Sequence, residues 1–479
     1  MNGSVDLPAA DAANVIQLTG LNRATLTDLT VTDANQNGIL LTNANGDFSV
    51  QDSRFVNSGS RAIFLQDVEG TVNLSDNNVE GALNEGIYLR DVTGTVIIDQ
   101  NTVQDIRYKP TLAGGSGIEG GIVHTNTRGT VNTRLTNNLV DIDPNGTTLA
   151  LTGEALLDID GMEVNMFDTA VGKALVEGNT LRNTDDDGID SDTNGTAQLD
   201  IIIRGNTLSE IQDRSISFVS AGNGTVRGLI EGNTITGPTT LNPSPDVDAD
   251  GIGIRPRQDS TMNITVRNNT VTNPGRKGID INMNRGDGSS GPVNNATAFF
   301  RFEGNTVSNA GQRALDIQLE DTSRATGVMV NNTVNGANGD GIRVRSGAGA
   351  GAETNQLFVG LFDNSVTGAT TAADAGIFVR AQNDSRLCAR IVENSSDNSG
   401  GVGLDYFLRS QQNAVLELFG ITTPIPAANP SPALTAALAA QGNTGRNANF
   451  PSRVQNNSVQ VPSTNCTFPN NTFAPTLPQ

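Results

Sequence analysis

The stretch GIYLRDVTGTVIIDQNTV, Gly86–Val103, holds three short apolar runs, GIYL, TVIID and NTV, separated by RDVTG, with its Asp and Gly, and by Gln100. Each run is strand length and rich in β-branched residues, and the separators are turn residues. The same pieces recur along the chain. The last appears as GNTL at 178–181 and 205–208, GNTI at 232–235, NNTV at 268–271, GNTV at 304–307 and NNTV at 331–334. The first appears as GILL at 38–41, GIDI at 278–281, GIRV at 341–344 and GIFV at 376–379. Eight residues separate Val79 from Ile87, Leu181 from Ile189, Val271 from Ile279 and Val307 from Leu315, so the pieces are in phase.

The resulting repeat is 24 residues early in the chain and 27 later. Its inward slot falls at Val15, Ile39, Ile63, Ile87, Ile122, Met162, Ile189, Ile216, Ile252, Ile279, Leu315, Ile342, Ile377 and Leu404, fourteen rungs in all. A period of this length with three short strands per coil predicts a β-solenoid. At ~4.8 Å per rung it is a rod roughly 65 Å long. We label the strands of a coil A (GIYL-like), B (TVIID-like) and C (NTV-like). Stacked asparagines at the turn, Asn101, Asn179, Asn206, Asn233, Asn269, Asn305, Asn332 and Asn364, are expected to form an amide ladder.

These motifs resemble the right-handed parallel β-helix proteins of the pectin-lyase-like type over about residues 14 to 420. The resemblance implies an all-β single solenoid. It leaves function open among polysaccharide lyases, epimerases, hydrolases, phage tailspikes and non-catalytic bacterial surface proteins. NTDDDGID, Asn183–Asp190, is similar to the acidic motif of the polygalacturonases in that group. Their Gly-His-Gly and Arg-Ile-Lys elements are missing here.

Composition narrows the rest. The chain has 479 residues, 53 Gly, no Trp, 30 basic and 51 acidic side chains, and a net charge of −21. Such a surface repels phosphates, which argues against nucleic acid. No apolar run is long enough to span a membrane. The expected setting is secreted or cell-surface, with a polysaccharide or other surface polymer as partner. MNGSVDLPAADAANV lacks the features of a signal peptide and the first rung lacks a cap, so an upstream domain or end-to-end self-association is expected. Beyond residue 420 the repeat stops. A cap and tail are expected over 421–479, with nine of the eighteen prolines and one short helix in SPALTAALAAQGN, Ser431 as its N-cap and Gly442 at its end. Whether Cys388 and Cys466 pair is left open by their spacing.

Candidate chemistry clusters on the outward face of strand A. Glu163, Asp187, Asp190 and Asp192 are candidate Ca²⁺ ligands, because carboxylates one rung apart need a cation or shifted pKa values. Asp-Gly is also ordinary turn chemistry, and the residues before the Gly-Ile slots can instead form cross-strand charge pairs. Asp160, Arg214, Asp280, Asp316, Arg343 and Arg345 are candidate ligand-binding residues, giving the face an acidic part and a basic part. Arg255 and Lys277 are the candidate catalytic bases. Long segments at 141–161 and 236–251 are expected to wall a notch over Asp190. His124 is expected inward, and Tyr88 and Phe378 outward and isolated. The leading expectation is a non-catalytic scaffold or adhesin segment. The alternatives are a carbohydrate-active enzyme and a tailspike-like depolymerase.

Overall fold

A computed structural model of the chain describes residues 3–6, 14–107, 120–144, 159–238, 249–284, 292–347, 349, 354–369, 374–397, 404–421, 430–445, 452–455, 459–460, 466 and 472–473. They fall into two compact units. The first is Met1–Phe218 with Pro238–Ala249, the second Val219–Gly237 with Asp250–Gln479.

In the first unit, strand A of one rung is Asp160–Met166, strand B Val171–Glu177 and strand C Thr180–Thr184. Each pairs in parallel with its equivalent on the next rung: Met162 with Ile189, Val171 with Gln198, Thr180 with Thr207. The second unit is built the same way, with Ile279 opposite Leu315, Thr297 opposite Arg324 and Thr306 opposite Thr333. Parallel pairing at a spacing of one repeat is a solenoid. In the rungs at Ile63 and Ile87, strands A and B run on as single strands, Ile63–Ser75 and Ile87–Asp99. The three-strand expectation holds for the other rungs and merges to two in these.

Alternation places one file of side chains inside. Ile63, Ile87, Ile122, Met162 and Ile189 are fully buried in the first unit, and Ile252, Ile279, Leu315, Ile342 and Ile377 in the second. Each such side chain contributes about 1.5–3 kcal/mol of burial. Two terminal slots differ from the sequence reading. Ile16, not Val15, lies opposite Ile39, and Tyr406, not Leu404, lies opposite Ile377. Both runs offer apolar residues at neighbouring or alternate positions, and register is settled only by the partner strand. Tyr406 tolerates full burial because its hydroxyl donates to the carbonyl oxygens of Asn394 and Thr444, both at 2.9 Å.

The turn before strand C explains the Gly-Asn-Thr and Asn-Asn-Thr motifs. Its first residue has a left-handed backbone: Asp76, Gln100, Asn137 and Gly178 in the first unit, Gly232, Asn268, Gly304 and Asn331 in the second, with φ between 53° and 68°. Glycine and asparagine enter that region at least cost. The next residue is the ladder asparagine. The Oδ1 of Asn179 accepts from the backbone N–H of Asn138 at 2.9 Å and from its Nδ2 at 3.0 Å. The file runs Asn77, Asn101, Asn138, Asn179, Asn206 in the first unit. In the second it runs Asn233, Asn269, Asn305, Asn332, Asn364, Asn394, Asn443. Asn77, Asn138, Asn394 and Asn443 extend the expected set.

The glycine of each Gly-Ile slot has a different cause. A Cβ on Gly188 would meet the Ser215 carbonyl oxygen at 2.5 Å and Leu208 Cδ2 at 2.8 Å, so the corner between strands C and A has no room for one.

The helix spans Pro430–Ala440, so Ser431 lies within it rather than ahead of it. Proline suits a first turn, where its missing N–H removes no hydrogen bond. Gly442 ends the helix at φ 77°. Cys388 and Cys466 are disulfide-bonded. Beyond them Phe473 packs on the outward apolar cluster Val328, Val330 and Phe362, and its carbonyl accepts from Arg301 Nη1 at 2.8 Å.

Candidate functional site

In the first unit the outward residue after each slot forms one file: Leu40, Phe64, Tyr88, Val123, Glu163, Asp190. It begins apolar and ends acidic. Tyr88 is not isolated, as its sequence context implied. Its ring stacks on Phe64 at 5.2 Å, with the Arg61 guanidinium 4.6 Å over Phe64 and 4.9 Å over Tyr88. Phe64, Tyr88 and Val123 are buried although they point away from the solenoid core.

The acidic end divides into structural and unexplained carboxylates. Asp160 Oδ1 accepts the backbone N–H of Asp187 at 2.8 Å, and Asp187 Oδ1 accepts that of Arg214 at 2.8 Å. Asp250 and Asp340 repeat this with Lys277 and Ala375 in the second unit. The Asp before Gly-Ile therefore ties its rung to the next, a role the sequence reading assigned to charge pairing alone. Asp187 is also ion-paired to Arg214 at 3.3 Å, and Arg214 reaches Asp213 at 2.9 Å.

Glu163 is 3% exposed. Its Oε2 accepts from Asn165 Nδ2 at 2.7 Å, while its Oε1 is buried without a hydrogen-bond partner. Asn165 Oδ1 accepts the backbone N–H of Asp192 at 2.9 Å, placing Asp192 beside this group. Oxygens of Asp160, Glu163 and Asp190 lie within 4.8 Å of one another. Burial and then the Glu163 charge push the Asp160 carboxyl well above its usual range, and burial and then Asp190 do the same to Glu163. Burial, with Asp192 adding to it, raises Asp190 to about 7. The expected walls of a notch, 141–161 and 236–251, lie mainly at 145–158 and 239–248, outside the described residues.

In the second unit Arg255 and Lys277 are locked between two buried carboxylates. Arg255 reaches Asp280 at 3.0 Å and Asp250 at 3.1 Å, and Lys277 Nζ reaches Asp280 at 2.8 Å. Burial disfavours the Asp280 anion, but the Arg255 and Lys277 charges outweigh it and hold its pKa at about 2. This is a closed ion-pair network, and a reading of either cation as a base draws no support from it. Asp316 and Arg343 form a bidentate pair at 2.7 and 2.6 Å.

Arg345 behaves differently. It heads a file with Arg380 and Arg409 on successive rungs. Burial and then the Arg343 and Arg380 charges lower Arg345 to about 10. Arg380 is lowered by burial and then by Arg409. Phe378 packs against Phe407 beside this file, rings 5.2 Å apart, so it too has an aromatic partner. Arg409 and Phe407 escaped the sequence reading because the Leu404 slot was placed two residues early. His124 is fully buried, with Nε2 3.1 Å from Asn126 Oδ1 and Nδ1 2.9 Å from Thr133 Oγ1. Burial lowers its pKa to about 4.

A sequence profile described as a right handed beta helix region matches residues 10–160 and 169–395. The chain belongs to the right-handed β-helix family. This β-helix matches no curated protein and no solved structure significantly. Among the described residues of the β-helix, no helix is long and apolar enough to cross a membrane.

Proposed function

We propose that this β-helix is a non-catalytic scaffold, secreted or displayed at a cell surface, whose second unit holds an acidic polysaccharide or similar surface polymer. The observation that carries the reading is the file Arg345, Arg380, Arg409, one cation per rung in a protein of net charge −21. Like charges ~4.8 Å apart repel, and burial first, with this repulsion adding to it, lowers the pKa of Arg345 and of Arg380. A polymer with one anion per sugar, lying along the file, relieves it at every rung, whereas a small anion relieves it at one. The Phe378 and Phe407 rings offer apolar surface to sugar faces. The disulfide supports an oxidising compartment.

The test is binding of the full chain to polygalacturonate, dextran sulfate and neutral dextran at rising salt. The reading expects polyanion binding that weakens with salt and falls at least ~10-fold when all three arginines become glutamine, with no cleavage products. Equal binding of neutral dextran, or no change in the triple variant, overturns it. Release of unsaturated or reducing ends would replace it with the lyase, hydrolase or depolymerase reading, and inversion at a sugar carbon without cleavage with the epimerase reading.

A further inference from the structure

The two units solve one electrostatic problem in two ways. In the second, Asp250 precedes a slot by two residues and Asp280 follows the next slot by one. Arg255 and Lys277 neutralise them. In the first, Asp160 and Asp190 occupy the same register positions around Met162 and Ile189. The position of Arg255 is held by Asn165, and that of Lys277 by Asp187. The position of Gly253 is held by Glu163. Two countercharges are removed and two carboxylates, Asp187 and Glu163, are added.

Nothing in the described surroundings replaces them. Among the described residues Asp160, Glu163 and Asp190 form no ion pair. The charged and titratable groups that act on them are Glu85, Tyr88, Asp186, Asp187, Asp192 and Arg214. Only Arg214 is cationic, and it is engaged with Asp187 and Asp213. Glu163 Oε1 supplies a separate sign of a missing ligand, since it is buried and unpartnered on a carboxylate that lies beside those of Asp160 and Asp190. An orphaned buried carboxylate oxygen is costly, and a cation is the one partner that satisfies several at once.

We propose that Asp160, Glu163 and Asp190 bind a divalent cation of the hard, oxygen-seeking class, with Ca²⁺ as the probe. Ca²⁺–oxygen distances of about 2.4 Å allow ligand oxygens up to ~4.8 Å apart, and the three carboxylates lie within that span. Asp160 remains available because only its Oδ1 is used by the Asp187 N–H. The sequence-expected set changes: Asp160 enters, Asp187 leaves to Arg214, and Asp192 stands outside the triad. The site does not depend on polymer binding by the arginine file.

The test is calorimetric titration of the chelator-treated full chain with Ca²⁺ at neutral pH, paired with thermal unfolding. Saturable binding of one equivalent and a rise in Tm are expected. Glu163→Gln and Asp190→Asn should each weaken binding at least ~10-fold, by analogy with lost metal-site partners. Asp259→Asn, an exposed acid elsewhere, should bind like the parent chain. Asn165→Arg, which supplies the guanidinium that Arg255 supplies in the second unit, should remove the Ca²⁺ response while circular dichroism stays that of a folded β-helix. Unchanged affinity in both carboxylate variants overturns the proposal. So does a parent chain with no binding heat and no Tm change, whose Glu163→Gln variant is more stable, which would mark the triad as proton-sharing carboxyls only.

Discussion

Set the Asp250–Arg255–Lys277–Asp280 group against the Asp160–Glu163–Asp190 group. Both sit on the outward face of strand A, at matching register, and both are largely buried. One is closed by its own cations and the other is not. The difference teaches that a parallel solenoid dictates where side chains meet but not what charge they carry. Residues a full repeat apart become neighbours at about 4.8 Å, so a single substitution changes the electrostatics of a whole file.

The sharpest way to break the comparison is Arg255→Met. It leaves two buried carboxylates, Asp250 and Asp280, with Lys277 as their one shared cation, and should cost about 3–5 kcal/mol in urea unfolding. A loss below ~1 kcal/mol would mean the closed network is not what separates the two groups.

Acid should distinguish the units next, because the chain's only histidine, His124, is in the first. Its folded pKa is about 4, below the ordinary 6.5. Between those values the unfolded state binds the proton and the folded state does not, so stability falls as pH falls. The slope is ~1.4 kcal/mol per pH unit, up to ~3 kcal/mol across the window. His124→Gln should flatten that part of the profile, and an unchanged slope would assign it elsewhere.

The amide ladder is the matched control, being built alike in both units. Asn179→Ala and Asn305→Ala each leave neighbouring donors and acceptors unmet and should cost ~2 kcal/mol. Unequal losses would show that the units differ in more than charge.

The smallest effect is Glu163→Gln in the absence of divalent ions. Burial and Asp190 raise the Glu163 pKa, so its anion disfavours folding above its ordinary range. Glutamine should therefore stabilise by ~1 kcal/mol, with the gain growing from pH 5 to pH 8 in thermal melts. A loss of stability at pH 8 would contradict the strain assigned to the triad.

The solenoid was legible because its cause is local and repeated. Ile87, Ile189 and Ile279 recur in phase, and the left-handed residue before each ladder asparagine shows as Gly, Asn, Asp, Gln or, once, Glu. Slots at the ends were not, since Val15 and Leu404 each had an apolar rival that only the partner strand rejects. The acidic face was legible as a face. Which carboxylates are structural was not, because the N–H that Asp160 accepts belongs to a residue 27 positions away. The recurrence of Asp160, Asp187, Asp250 and Asp340 before their Gly-Ile or equivalent slots was the available signal. The Cys388–Cys466 bridge carries no periodic mark.

That bridge has a mechanical consequence. A coil held by parallel ladders peels from its end under tension, one rung at a time. Here a pull applied beyond Cys466 passes through sulfur directly into the strand Arg386–Val392. The bridged span, a sequence separation of 78 residues, is shielded from the load and cannot lengthen. Cutting the bridge with a reductant would add that stored length, roughly 250 Å at full extension for 78 residues, to the tether. For a protein anchored at one end and loaded at the other, the disulfide sets which rung bears the force first.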